Sequence, residues 1–147
     1  MQTPTTGLQP DAGADAAATK AVACAFIERF DSNDMAGVLE LFAEDLQYWL
    51  AGDPEHLPSA GVRGKAQMAR LFERMAERLE DGQRMRVLSA IAEGDIAALE
   101  VECDGLLKNG RRYRNQYHMR FHVQDGRIRA LSEYYDTAHV QAVWFQP

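Results

Sequence analysis

The side chains with chemical reach in this 147-residue chain gather in its second half. Between residues 98 and 136 the carboxylates Glu100, Glu102 and Glu133 are interleaved with Tyr113, Asn115, Tyr117 and Tyr135. A solvent face would not carry that aromatic content, and an ordinary core would not carry those acids. A pocket uses both, because a carboxylate stripped of water gains proton affinity and can move a proton near neutral pH. Glu133, among Tyr117, Tyr135 and apolar groups, is the leading general base. Glu100 and Glu102 stand two apart on one strand face and repel each other. Either one keeps its proton and serves as a general acid, or an arginine settles between them as part of a structural network. Tyr48 completes the catalytic set. Asn115, Tyr117 and Tyr135 are candidate hydrogen-bonding contacts to substrate, with Phe30 and Phe72 as apolar walls.

These roles depend on strand register. Asn109-Gly110 is a strong two-residue hairpin signal, and that turn sets Glu102 opposite Tyr117, Glu100 opposite Met119 and Asp104 opposite Asn115. The acids then share a face with the tyrosines, since strand side chains alternate. Leu99, Val101 and Cys103 fall on the other face with Gln116, His118 and Arg120, an apolar row framed by long polar side chains. Such a row suits a homodimer through the sheet. At the next turn, Gln124-Asp125-Gly126, a three-residue loop with a bulge brings Glu133 opposite Tyr117, whereas a plain two-residue turn puts it opposite His118 on the other face. The first arrangement gives the more coherent set and is the one expected.

The remaining elements follow from apolar spacing. Residues 1–18, rich in Thr, Pro, Gly, Ala and Asp, show no period and read as a flexible tail or an arm that orders on a partner. Residues 19–147 read as a single domain. Val22, Phe26 and Phe30 mark a first helix and Met35, Val38, Leu39 and Phe42 a second, with Ser32-Asn33-Asp34 ending one and capping the next. A short strand over 46–50 sets Tyr48 on one face and Gln47 and Trp49 on the other. A loop over 51–62 carries His56, and a third helix over 64–80 shows the stripe Met68, Leu71, Phe72, Met75, Leu79. Four strands and a short last helix capped by Asp136 complete an α+β pattern, with helices on one face of a curved antiparallel sheet.

Composition narrows the function. A net charge of −6 argues against nucleic acid or an anionic membrane surface as partner. No apolar run approaches the ~20 residues of a membrane helix, and no signal peptide is visible. Cys24 and Cys103 make no disulfide scaffold, so a cytoplasmic location is expected. His118 and His122 have a helical ligand spacing but lie on a strand, ~13 Å apart at ~3.3 Å per residue, so no metal is expected. A glycine-rich phosphate loop and a nucleophile elbow are both missing, which leaves chemistry without cofactors.

Several stretches together carry a resemblance: Phe26-Ile27, Ser32-Asn33-Asp34, Leu41-Phe42-Ala43-Glu44-Asp45, Gly64 at a helix start, Asp125-Gly126-Arg127-Ile128, and Glu133-Tyr134-Tyr135-Asp136. Over about 18–144 the chain resembles the nuclear transport factor 2-like superfamily, nearest the SnoaL-like polyketide cyclases and limonene-1,2-epoxide hydrolase. The resemblance implies a cone-shaped α+β barrel with a deep apolar pocket, commonly dimeric. Against the epoxide hydrolase, the water-holding Tyr falls at Tyr48 and its Asn at Leu50. The hydrolase's Asp-Arg-Asp triad falls at Glu102, Glu100 and Glu133, with an acid in place of the central arginine. The cyclases' last-strand carboxylate falls at Glu133. The resulting expectation is a cofactor-independent isomerase, cyclase, hydrolase or lyase acting on a hydrophobic cyclic or aromatic small molecule. The alternative is a non-catalytic binding or dimerisation module, with its acids paired to arginines and a filled cavity.

Overall fold

The computed structural model describes residues 2–147. Helix α1 (Ala16–Asp31) starts three residues earlier than its apolar spacing suggests, because Asp15 caps it by accepting from the amides of Ala17 and Ala18. Asp34 likewise caps α2 (Met35–Glu40) through the Gly37 amide, at 2.9 Å. Strands β1 (Phe42–Leu50) and β2 (Gly61–Arg63) follow, then α3 (Lys65–Arg78). The antiparallel meander β3 (Leu79–Glu93), β4 (Ile96–Leu107), β5 (Arg112–Gln124) and β6 (Arg127–Tyr134) comes next. Helix α4 (Thr137–Val140), capped by Asp136, runs into a π-helical turn over Gln141–Phe145.

The fold is α+β, built on a six-stranded sheet ordered β2-β1-β6-β5-β4-β3 among the described residues. Two expectations are corrected here. The sheet is mixed, since β1 runs parallel to β6, and it is open rather than closed into a barrel. Helices α1 and α3 cover its inner face. Between them and the sheet lies the core, with Phe26, Phe42, Tyr48, Met68, Leu99, Met119 and Phe121 almost fully buried.

The register of β4 differs from expectation as well. The β4–β5 turn is a three-residue loop, 108–110, in which Gly110 takes φ +90° and the Leu107 amide donates to the Arg111 carbonyl. Cys103 therefore pairs with Asn115, Val101 with Tyr117 and Leu99 with Met119, one residue away from the expected pairing. That single slip reverses every side chain on β4. Leu99, Val101 and Cys103 point into the core, and Glu100, Glu102 and Asp104 point outward. The apolar row that argued for a homodimer through the sheet is thus part of the interior.

At the other hairpin, Asp125 and Gly126 (φ +52° and +74°) make a plain two-residue turn, with Gln124 opposite Arg127. A bulge between the His122 and Val123 pairings then adds a residue on β6, so Met119 meets Glu133 and His118 meets Tyr134. Glu133 reaches the same face as Tyr117, two positions along from the expected partner.

Residues 2–15 lie across the back of the sheet. Buried Thr5 shares a 2.6 Å hydrogen bond with Ser132, and Arg120 donates to the Leu8 carbonyl at 2.9 Å. The Asp11 amide donates to Asp95 beside Gly94, where any Cβ would sit 2.2 Å from the Asp11 carbonyl oxygen.

Candidate active site

A cavity of about 320 Å³ opens between α1, α3, the sheet and the C-terminal turn. Apolar spacing on two helices supplies its walls. Phe26 and Phe30 come from α1, and Met68, Leu71, Phe72 and Met75 from α3, with Phe30 and Phe72 edge to face at 5.1 Å. Strand alternation supplies its polar groups: Tyr48 from β1, Tyr113 and Tyr117 from β5, Glu133 from β6 and Tyr135 just after it. Pro58 and Ser59, from the loop before β2, sit at the rim. His56 of that loop is exposed and binds Asp53 at 3.0 Å.

Among the described residues Glu133 is the one carboxylate lining the cavity. It is 7% exposed. Tyr48, itself buried, donates to Glu133 Oε1 at 2.7 Å. Among the described residues no hydrogen bond reaches Oε2, and no guanidinium or ammonium pairs with the side chain. Burial pushes the Glu133 pKa up to about 7, with the Tyr48 hydrogen bond opposing part of that rise. The Tyr48 hydroxyl is driven well above its ordinary range, first by burial and then by the neighbouring carboxylate. A neutral phenol bonded to a carboxylate poised near neutrality follows from these two shifts.

Beside this pair, the Tyr113 and Tyr117 hydroxyls lie 2.8 Å apart, and Tyr117 packs against Tyr135 with ring centroids at 5.4 Å. Burial raises the pKa of all three phenols, keeping them as donors. Tyr135 donates to the Ala51 carbonyl at 3.3 Å. Cys103, behind them, is pushed up to about 12 by burial and is an inert thiol at neutral pH.

The expected residues divide clearly. Glu133, Tyr48, Tyr117, Tyr135, Phe30 and Phe72 converge on the cavity. Asn115 is buried beside it but does not line it. Its amide grips the Asp136 backbone through two 3.1 Å bonds and donates to Tyr113. Glu100 and Glu102 lie outside, where Glu102 pairs with Arg86 and Glu100 stands opposite His118. The triad carried over from the epoxide hydrolase therefore does not assemble. Sequence reasoning missed Arg63, Arg74 and Gln83, which also line the cavity, as does Trp144. Each comes from a different element, so no local spacing announces them.

Among the described residues one group has metal-ligand spacing, Asp53, Glu55 and His56. All three are exposed, and the Asp53 oxygens already accept from the Glu55 amide and the His56 ring. No described helix is long and apolar enough to cross a membrane.

Solved structures share this architecture. A nuclear transport factor 2-like protein of unknown function from Burkholderia pseudomallei is 16% identical, covering 88% of this chain and 98% of its own, with a TM-score of 0.76. A limonene epoxide hydrolase-like enzyme from M. tuberculosis is 22% identical over 87% of this chain and 90% of its own, with a TM-score of 0.72. TerC, crystallised with polyporic acid, is 16% identical over 86% and 97%, with a TM-score of 0.74. At these identities the likeness is one of fold. No curated protein sequence matches the chain. The SnoaL-like domain profile matches residues 23–131, ending two residues before Glu133. With most of its length inside that match, the chain belongs to the SnoaL-like family.

Proposed function

We propose that this protein is a cofactor-independent acid/base enzyme acting on a hydrophobic cyclic or aromatic small molecule, with Glu133 as general base. One observation carries the reading: a carboxylate inside an apolar cavity, held by a single phenol and countered by no cation among the described residues. Near neutral pH such a group takes a proton from a carbon acid and, in its protonated form, returns it elsewhere on the same molecule. Tyr48 stays neutral throughout and steadies whichever form Glu133 adopts. The Tyr117 hydroxyl, whose bond to Tyr113 can run in either direction, is a donor for oxygen charge that develops as the proton leaves. Isomerisation, cyclisation and lyase chemistry need one such base. Hydrolysis on paired carboxylates loses its support with Glu100 and Glu102 outside. A module that only held a ligand would need no unpaired acid in its interior, and the open cavity also favours the catalytic reading.

Compounds from terpenoid, steroid and aryl panels that raise the melting temperature identify occupants, since a bound ligand stabilises by mass action. With a turned-over substrate in hand, Glu133→Gln is expected to lower kcat by roughly 10²–10⁴-fold. An unchanged rate removes Glu133 from the role.

A further inference from the structure

The cavity carries positive charge that the proton chemistry at Glu133 does not use. Arg63 on β2 and Arg74 on α3 both line it, as does Arg78, which is committed to the Trp144 carbonyl at 2.8 Å and lies over the Trp144 ring. Neither Arg63 nor Arg74 forms an ion pair with any described residue, although this acidic chain pairs arginines freely elsewhere, at Arg84, Arg86, Arg112 and Arg129. Arg63 is half-buried and its guanidinium is already oriented, donating to the Ser59 carbonyl and, at 3.2 Å, to the Pro58 carbonyl. Of its five N–H groups, the remainder stay available. Burial pushes the Arg63 pKa down, and the like charge of Arg74 adds to that. Two guanidiniums lining one cavity, with no counter-charge from a described residue, form an arrangement that an anion relieves. A carboxylate matches it best, because the planar fork of arginine binds both carboxylate oxygens.

Resting on the pocket reading above, we infer that the substrate is an apolar ring compound bearing a carboxylate, which Arg63 and Arg74 hold while Glu133 acts on the apolar body. The two sites have opposite charge, and this fixes orientation. Ionised Glu133 rejects an acid group in its part of the cavity, and the arginines accept it in theirs. Arg63 and Arg74 thus bind and orient the substrate, and the proton transfer belongs to Glu133.

The test compares biphenyl-4-carboxylate with biphenyl-4-carboxamide by titration calorimetry at pH 8. Both share one apolar body and differ in charge. The acid is expected to bind about tenfold tighter than the amide, less so in high salt. The double variant Arg63→Gln/Arg74→Gln should bring the acid down to the amide's affinity and leave the amide unchanged, which also reports that the pocket remains folded. Should that double variant fail to fold, Arg74→Gln alone removes an exposed side chain that makes no hydrogen bond to a described residue, and should lose a measurable part of the preference. Equal binding of acid and amide to the parent protein overturns the carboxylate assignment and leaves the pocket reading intact. So does a preference that survives the arginine variants. Failure of both compounds to bind overturns both readings together.

Discussion

The inner and outer faces of the β4–β6 meander hold the same acid types in opposite conditions. Outside, Asp104 receives Arg112 at 2.8 Å and Arg114 at 3.6 Å, and Glu102 pairs with Arg86. The Arg112 hydrogen bond holds the Asp104 carboxyl below its usual range. Inside, Glu133 has lost water without gaining a cation, and its pKa rises to about 7. The face a carboxylate occupies, and the counter-charge found there, decides whether it can serve as a base. Nearness in sequence to other acids does not decide it, since Glu100 and Glu102 lie beside the pocket in the chain and outside it in space.

The largest test moves an acid across that divide. Val101 is fully buried opposite Tyr117, so Val101→Glu should destabilise the fold by about 3–5 kcal/mol at pH 8, read by urea unfolding. Little change would mean the inner face tolerates charge and that Glu133 is not special there. Next comes the pH dependence of stability. Glu133 binds its proton more tightly when folded, so its contribution is complete below about pH 4.5 and is lost as pH rises through about 7. Glu133→Gln should abolish that decline and be more stable than the parent at pH 8 by about 2–3 kcal/mol. A less stable variant at pH 8 would contradict the burial argument. Tyr48→Phe removes the bond that holds the Glu133 pKa down, so the midpoint of the pH–rate profile should move to higher pH and the rate at pH 7 fall roughly tenfold. A midpoint moving to lower pH would be inconsistent with that bond. The smallest effect belongs outside: Glu102→Gln, at a solvent-exposed pair, should change stability by no more than about 0.5 kcal/mol and leave the pH–rate profile in place.

The sequence carried the answer to the β4 question in a form that the turn motif overrode. Ala97, Leu99, Val101 and Cys103 alternate with Glu100, Glu102 and Asp104, an apolar-in, charged-out strand by period alone. Asn109-Gly110 argued for a two-residue turn, but Gly110 instead supplies the left-handed residue of a longer loop. Where turn and strand disagree, burying an apolar row outweighs the preference of one dipeptide. At β5–β6 the plain turn and the bulge each shift the register, and together they return Glu133 to the face that sequence reasoning gave it. The helical walls were legible because Phe26, Phe30, Met68 and Phe72 repeat at helical spacing. Arg63, Arg74 and Gln83 were not, because only the folded chain brings β2, α3 and β3 around one hollow.

The N-terminal segment matters to the site despite its distance in sequence. Thr5 is bonded to Ser132, the residue immediately before Glu133, on the reverse side of the same strand. A preparation trimmed to begin at α1 would bare that hydroxyl and loosen the backing of the base by one peptide unit.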